Sequence, residues 1–200
     1  VTHVTDKIAV VPSWLTYEPK EGEITITLDP GCAFGTGTHQ TTQLCLKAIE
    51  KYLKKGDKVA DIGTGSGILS ICAIKFGASS AYGCDIDDTV IDVCRENAKI
   101  NGIDVDYPQG DGNPAPVKFE LNTADKITEK FDFVCANILH NVLAEIMGDL
   151  KNIMKDNAKM SLSGILDEKK SIVLEAIERE GMKIIDTISQ DQWISFVVTK

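Results

Sequence analysis

Two glycine-rich stretches and one acidic residue are the candidates for a ligand-binding site in this sequence. The first stretch, LDPGCAFGTGTHQTT, runs from Leu28 to Thr42, and the second, DIGTGSG, runs from Asp61 to Gly67. A glycine-rich loop between a strand and a helix lets a ligand approach the backbone, while the helix start offers unpaired N–H groups. Asp85 follows the second stretch at the spacing of about 20 residues at which a carboxylate accepts the hydroxyls of a ribose. This pattern predicts a site for a nucleoside-containing ligand.

The secondary structure predicted around these residues alternates between strand and helix. Apolar runs predict buried strands, and apolar residues at three-and-four spacing predict helices. Strands are predicted at 58–62, 80–86, 117–121, 131–137 and 158–165, and helices at 68–76, 87–102, after 137 and at 167–181. Two closing strands, 182–188 and 193–199, are joined by a short SQDQ link and form an antiparallel hairpin. The order predicts an α/β fold with a doubly wound, mostly parallel, seven-stranded sheet and a C-terminal antiparallel hairpin.

Composition and charge exclude several classes of protein. The 200 residues are 43% hydrophobic and 26% charged, as in one ordinary globular domain with a sizeable core. The net charge of −9 argues against direct nucleic-acid binding, because such surfaces are basic. No apolar run approaches the roughly 18 residues of a membrane span, so no membrane partner is expected. The six cysteines form no C-x-x-C pair, which predicts no metal site and reduced core cysteines in a cytoplasmic protein.

The spacing of the second stretch distinguishes between nucleotide cofactors. Its glycines run G-x-G-x-G rather than G-x-G-x-x-G, and Asp61 lies two residues before the first of them. This pattern resembles that of S-adenosylmethionine-dependent methyltransferases, whose cofactor carries an ammonium and a sulfonium that an acidic loop favours. A dehydrogenase would also need a second nucleotide-binding half, where this chain has the antiparallel hairpin. The predicted cofactor is S-adenosyl-L-methionine.

Six motifs, in order, carry a more specific resemblance. LDPGCAFGTGTHQTT, DIGTGSGILSICAIKFGA, GCDIDDTVIDVCRENAKING, ANIL, LSGIL and a late QW are similar to those of the methyltransferases of ribosomal protein L-eleven, the PrmA family. The resemblance runs from VVPSW to the C-terminus. It implies a class I, Rossmann-like methyltransferase that N-methylates amino groups, lysine and/or N-terminal, of the large-subunit ribosomal protein eleven.

The resemblance also implies the residues of the site. It places cofactor contacts at Thr42, Gly63, Asp85 and Asn137. Residues 29–200 are then the methyltransferase domain. Residues 1–28, with short strands in KIAVVPSW and GEITITL, are expected to be a flap or linker, since a core needs more than about 30 residues.

The first glycine-rich stretch has a physical role in this prediction. Thr38 is expected to cap a helix that runs to about Lys55, and the first turn of that helix can hold the methionine carboxylate of the cofactor. Gly35 and Gly37 would let the preceding segment fold over the ligand as a lid. The two stretches would then hold two ends of one cofactor.

Asn137 is the predicted catalytic residue. It ends a strand of the parallel sheet, a usual place for a residue that faces a ligand. An amine that accepts a methyl group must be neutral, although a free lysine has a pKa of about 10.4, and burial beside the sulfonium lowers that pKa. The side-chain oxygen of Asn137 and the carbonyls of NIL could accept the hydrogens of the amine and orient its lone pair. An asparagine that only caps the next helix is compatible with the same position.

Three alternatives remain open from the sequence. Family members usually carry a substrate-recognition domain before VVPSW, where this chain has only a few residues. The chain is either the catalytic part of a longer enzyme or a short relative that methylates another protein lysine or a small molecule. A module that binds the cofactor without transfer is the third alternative. His140 stands where the family often has Ala, and two roles are open for it: an exposed residue on the first turn of a helix, which is favoured, or a residue that alters the acceptor side of the site.

Overall fold

A seven-stranded sheet organises the fold, which a computed structural model describes over residues 1–29, 39–106 and 116–200. The strands of the described part are β1 (Thr2–Thr5), β2 (Ile8–Pro12), β3 (Ile24–Leu28), β4 (Lys58–Ile62), β5 (Ser80–Asp85), β6 (Val117–Leu121), β7 (Phe131–Asn137), β8 (Met154–Leu166), β9 (Lys183–Gln190) and β10 (Trp193–Thr199). Its α-helices are α1 (Gln40–Tyr52), α2 (Ile68–Lys75), α3 (Asp88–Ile100), α4 (His140–Asn152) and α5 (Lys170–Arg179). None of the helices in these ranges is both long and apolar enough to cross a bilayer.

The central sheet has the order β6-β5-β4-β7-β8-β10-β9. Its neighbouring strands are parallel except for β10, which runs antiparallel to both β8 and β9. The predicted fold class is therefore confirmed, including the antiparallel C-terminal hairpin. The chain winds outwards from β4 in one direction and from β7 in the other, so the topological switch point lies between these two strands. Ligands of doubly wound folds bind at the carboxyl ends of the strands beside such a point.

Helices cover both faces of the central sheet. One apolar cluster joins one face to α1, α2 and α3, with Ile49, Ile71 and Cys94 among its buried members. A second cluster joins the other face to α4 and α5, with Met147 and Val173 among its buried members. Strands β4 and β7 are buried on both faces, so their sequences are mostly apolar runs, whereas the edge strand β6 alternates between buried and more exposed residues.

A second sheet of three strands packs on the side of α1, α2 and α3. Its order is β1-β2-β3, with β1 antiparallel and β3 parallel to β2. Ile8, Ile26 and Leu28 are buried in the first apolar cluster. The sequence predicted β2 and β3 but neither β1 nor the parallel pairing. Residues 1–28 thus share a core with the helices, while the boundary between residues 28 and 29 stays a prediction.

The start of α1 differs from the prediction. Its N-cap is His39, whose Nδ1 accepts the N–H of Thr41 at 3.2 Å. The predicted cap, Thr38, lies outside the described residues, as do Gly35 and Gly37. The helix ends at Tyr52 rather than near Lys55, because the chain then turns and the Asp57 carboxylate accepts the N–H of Lys54 at 2.9 Å.

Two glycines make room for the residue that follows β7. A Cβ at Gly164, where φ is +86°, would lie 2.5 Å from the carbonyl oxygen of Ile138. A Cβ at Gly63, where φ is +74°, would lie 2.7 Å from Cγ2 of the same isoleucine. Ile138 is therefore enclosed between β8 and the second glycine-rich stretch, and this contact fixes the chain directly after Asn137.

The substitution Gly164→Ala should destabilise the fold through both strain and contact. An L residue in the left-handed region costs roughly 1–2 kcal/mol, and a methyl group forced against backbone adds a similar amount. We expect the free energy of unfolding, measured by urea denaturation, to fall by about 2–4 kcal/mol. The matched control is Gly102→Ala, where φ is +72° and nothing lies within 4 Å of the added Cβ. Equal losses in the two variants would show that Ile138 does not constrain Gly164.

Candidate active site

The four predicted site residues lie at one edge of the central sheet. Gly63 follows the carboxyl end of β4, while Asp85 and Asn137 end β5 and β7. Thr42 lies in the first turn of α1, which is attached to the same edge because Ser163 Oγ, in β8, donates to the carbonyl of Thr41 at 3.0 Å. Ser163 is the strand partner of Asn137. The structure therefore brings all four residues to the switch point, and their contacts with a cofactor remain a prediction.

The second glycine-rich stretch is a tight turn attached to the end of β5. Gly63, Gly65 and Gly67 have φ values of +74°, +55° and +82°, which L side chains rarely adopt. The N–H of Gly63 donates to the carbonyl of Cys84 at 2.9 Å. The N–H of Gly65 donates to Oδ2 of Asp85 at 3.1 Å. The alternating glycines of the motif thus hold the loop against the predicted ribose-binding carboxylate.

Asp85 is held in place by backbone groups through both of its carboxylate oxygens. Oδ2 accepts the N–H of Gly65, and Oδ1 accepts the N–H of Asp87 at 3.1 Å. Each carboxylate oxygen has a second lone pair, so both remain able to accept a hydroxyl. Ile86 and Leu121, which follow β5 and end β6, are 79% and 54% exposed. These two side chains present an apolar surface at the same edge of the sheet.

Asp61 is a buried carboxylate beneath the loop. The residue is 1% exposed, and its Oδ2 accepts hydroxyl hydrogens from Thr64 at 2.8 Å and Ser70 at 2.9 Å. Burial raises the pKa of Asp61 to about 6, against the opposing effect of these two hydrogen bonds. Its Oδ1 is buried and has no hydrogen-bond partner. One face of this carboxylate is therefore satisfied within the protein and the other is not.

Two of the predicted residues share this property. Thr42 Oγ1 and Asn137 Oδ1 are also buried without a hydrogen-bond partner. Most buried polar atoms in proteins are paired, so three unpaired ones on three elements of one sheet edge call for an explanation. A polar ligand that carries both donors and acceptors supplies one. Two further unpaired hydroxyls, of Ser161 and Ser195, lie within β8 and β10.

An aromatic pair lies at the start of α1 and was not predicted as part of the site. The rings of His39 and Trp193 meet edge to face with their centroids 5.2 Å apart. Trp193 is the strand partner of Leu166, three residues beyond Ser163 in β8. Both rings stand at the ends of elements that meet at this edge. Their motifs, GTGTH and QW, marked the family resemblance, but spacing alone could not reveal that they touch.

His140 is the first residue of α4, as predicted, and it is half-buried rather than exposed. The residue before it, Leu139, is 63% exposed and is the N-cap position of this helix. Asn137 is therefore not the cap of α4. This removes the alternative in which Asn137 serves only to cap the next helix.

Comparison with known proteins points to one family. The family model described as ribosomal protein L11 methyltransferase (PrmA) matches residues 2–200. Proteins named ribosomal protein L11 methyltransferase are 40% identical over 198 residues in Bacillus velezensis and 39% identical over 196 residues in Acetivibrio thermocellus. Each alignment covers 98% of this chain, but 61% and 59% of the relatives. The chain thus spans about three fifths of the length of these relatives.

Solved structures agree with this comparison. The ribosomal protein L11 methylase from Lactobacillus delbrueckii subsp. bulgaricus superimposes with a TM-score of 0.88 at 32% identity, covering 99% of this chain and 97% of that one. A putative methyltransferase complexed with SAH has a TM-score of 0.66 at 11% identity, covering 82% of this chain and 50% of that one. The second likeness concerns the fold alone.

The buried carboxyl of Asp61 should make stability depend on pH. Its pKa is raised from 3.8 to about 6, so ionised Asp61 costs the folded state most above pH 6 and least below pH 4. Asp61→Asn, which keeps an acceptor for the two hydroxyls, should raise the free energy of unfolding by about 2–3 kcal/mol at pH 8. Most of that gain should disappear as the pH falls from 6 towards 4, in urea denaturation without ligand.

The control for this measurement is Asp125→Asn, which neutralises an exposed carboxyl. It should change stability little at any pH. A gain in Asp61→Asn that is the same at pH 8 and pH 4.5 would show that Asp61 is not an ionised group buried at a cost.

Proposed function

The chain belongs to the ribosomal protein L11 methyltransferase (PrmA) family, and from this premise we propose that it transfers a methyl group from S-adenosyl-L-methionine to amino groups, lysine and/or N-terminal, of ribosomal protein L11. One observation carries the proposal: Thr42 Oγ1, Asp61 Oδ1 and Asn137 Oδ1 are buried without partners at the switch point of the sheet. These atoms match the ends of the cofactor and the amine that receives its methyl group.

The amino-acid end of the cofactor fits between Asp61 and the start of α1. Asp61 Oδ1 is an acceptor for the ammonium. Burial alone disfavours the ionised state of Asp61, and the ammonium stabilises that state. The first turn of α1 contains no acidic residue, so its N–H groups and the Thr42 hydroxyl favour the carboxylate. A zwitterion therefore satisfies both atoms at once.

The adenosine end fits at β5. Asp85 is held by two backbone N–H groups in an orientation that leaves lone pairs for the ribose hydroxyls. The exposed side chain of Ile86 offers an apolar surface for the purine. The cofactor supplies an activated methyl group, and the chain supplies alignment.

Asn137 acts on the amine that receives the methyl group. Transfer requires the nitrogen lone pair to lie in line with the methyl group, so orientation is the main task of the protein. Asn137 Oδ1 accepts an N–H of the neutral amine and thereby aims its lone pair. An amide is not a base, so the proton passes to water when desolvation lowers the pKa of the amine. The rings of His39 and Trp193 flank the approach of a lysine side chain with an aromatic surface.

The cysteines bear on where the chain works. The five cysteines of the described ranges are buried and unbridged, and burial raises the thiol pKa of Cys45 and Cys84 to about 12. Such thiols are unreactive core residues. Proteins with many reduced cysteines are typical of a reducing compartment, and we place this chain in the cytoplasm.

Calorimetry tests the cofactor. The unaltered chain should bind S-adenosylmethionine and S-adenosylhomocysteine and should not bind NADH. Asp85→Ala should weaken S-adenosylhomocysteine binding by roughly 2–4 kcal/mol, because two charge-assisted hydrogen bonds are lost. The matched control is Asp87→Ala, which removes the same charge two residues away and disrupts only the cap of α3. Its affinity should stay close to that of the unaltered chain. Binding of NADH without binding of either adenosyl ligand would contradict the proposal.

Single-turnover methylation tests the role of Asn137. With tritiated S-adenosylmethionine at saturation and purified ribosomal protein L11 as acceptor, Asn137→Ala should slow transfer roughly a hundredfold through misalignment. The dissociation constant for S-adenosylhomocysteine should change far less. Asn152→Ala, at the exposed end of α4, is the control and should leave both unchanged. Equal losses in rate and affinity would make Asn137 a binding residue only. Binding without transfer by the unaltered chain would contradict the proposed acceptor.

A further inference from the structure

Helix α3 carries an asparagine that touches both glycine-rich stretches. Asn97 is 1% exposed, and its amide makes hydrogen bonds at both ends. Oδ1 accepts the N–H of Asp29 at 3.2 Å, and Nδ2 donates to the carbonyl of Ser66 at 2.9 Å. Asp29 belongs to the first stretch and Ser66 to the second. One buried side chain therefore links the two segments between which the proposed function places the cofactor.

Asn101, one helical turn further on, makes a comparable contact with β3 only. Its Oδ1 accepts the N–H of Thr27 at 2.9 Å, and its Nδ2 donates to the carbonyl of Thr27 at 2.7 Å. The side chain thus pairs with the edge of β3 as a neighbouring strand would. The hydrogen bonds of its side chain go to Thr27 and to the carbonyl of Asn97, not to the second stretch.

The contact with Ser66 is close to the predicted ribose site. The residue before it, Gly65, donates its N–H to Asp85 and receives the Cys94 thiol hydrogen on its carbonyl at 2.8 Å. Two successive carbonyls of the loop, those of Gly65 and Ser66, are therefore held by α3. A shift of Ser66 would move the Gly65 N–H and with it the support of Asp85.

We propose that Asn97 is a positioning residue that fixes the spacing between the two glycine-rich stretches and thereby sets the affinity for the cofactor. The inference rests on the proposed function. A ligand held by two segments binds more tightly when their spacing is set in advance, because binding then need not order them. The simpler role is to attach β3 to α3, and Asn101 serves that role equally well. The two asparagines therefore separate positioning from stability.

Calorimetry with S-adenosylhomocysteine, alongside urea denaturation, compares Asn97→Ala with Asn101→Ala. Asn97→Ala loses two side-chain hydrogen bonds and Asn101→Ala loses three, so both should lower the stability of the fold. Asn97→Ala should also weaken binding by about tenfold or more, because the hydrogen bonds that hold the two stretches at their spacing are lost. Asn101→Ala should weaken it by about threefold at most. Losses of affinity that are equal in the two variants would overturn the inference.

Asn97→Asp gives a readout that a merely structural role would not move. A carboxylate at this position cannot donate to the Ser66 carbonyl, whereas the protonated acid can donate there and still accept from Asp29. Burial raises the pKa of such a carboxyl. The loss of affinity relative to the unaltered chain should therefore be large at pH 8 and should shrink as the pH falls to about 5.5.

The ratio of the two dissociation constants, variant over unaltered chain, is taken at each pH, so that the effects of the other charged groups cancel. These are Asp29, whose N–H bonds to Asn97, Asp61 beneath the loop, Asp85 beside Gly65, and Arg95, Glu96 and Lys99 on α3 itself, all present in both proteins. A ratio that does not change with pH would overturn the role of the Ser66 contact. Failure of the unaltered chain to bind S-adenosylhomocysteine would instead contradict the proposed function, and the inference with it.

Discussion

Asp61 keeps a carboxylate buried near the carboxyl end of β4, one of the two strands at the switch point, and the site is arranged around it. The hydroxyls of Thr64 and Ser70 satisfy one oxygen, and the other has no partner among the residues that the structure describes. Burying an ionised carboxylate that is only half satisfied destabilises the folded state, and the pKa of about 6 reflects that cost. A cation that reaches the second oxygen offsets the cost. The feature that weakens the fold is thus the one to which the proposed function assigns the positively charged end of the cofactor.

Much of the fold could be predicted because the signals for several strands lie within the strands themselves and the residues next to them. Strands β4, β6 and β7 have the predicted bounds, since β4 and β7 are mostly apolar runs and β6 alternates between apolar and polar residues. The three-stranded sheet could not be predicted in the same way. β1 has only four residues, three of them polar, and the parallel pairing of β2 with β3 is fixed by burial against α1 and α2 rather than by any turn between the strands.

The site residues that could be predicted are likewise those whose signal lies close to them in the sequence. Gly63, Asp85 and Asn137 were placed at strand ends by motifs that lie next to their strands, and the sheet brings those ends together. The contact of His39 with Trp193 joins residues from opposite ends of the chain. Such contacts depend on the register of β8 with β10, which no spacing in the sequence reports. The predicted cap of α1 was wrong by one residue, because the imidazole of His39 accepts the backbone N–H that a threonine hydroxyl was expected to accept.

Glycines with positive φ and unpaired polar atoms lie together at one edge of the sheet. Gly63, Gly65, Gly67 and Gly164 all have positive φ, and Ile138 is enclosed between two of them. The unpaired atoms of Thr42, Asp61 and Asn137 lie on the elements that these glycines bring together. A ligand that binds only the folded chain stabilises it in proportion to the logarithm of its concentration over its dissociation constant. The cofactor proposed for this site would therefore stabilise the fold where it is weakest, so that the geometry needed for methyl transfer is best maintained when the methyl donor is bound.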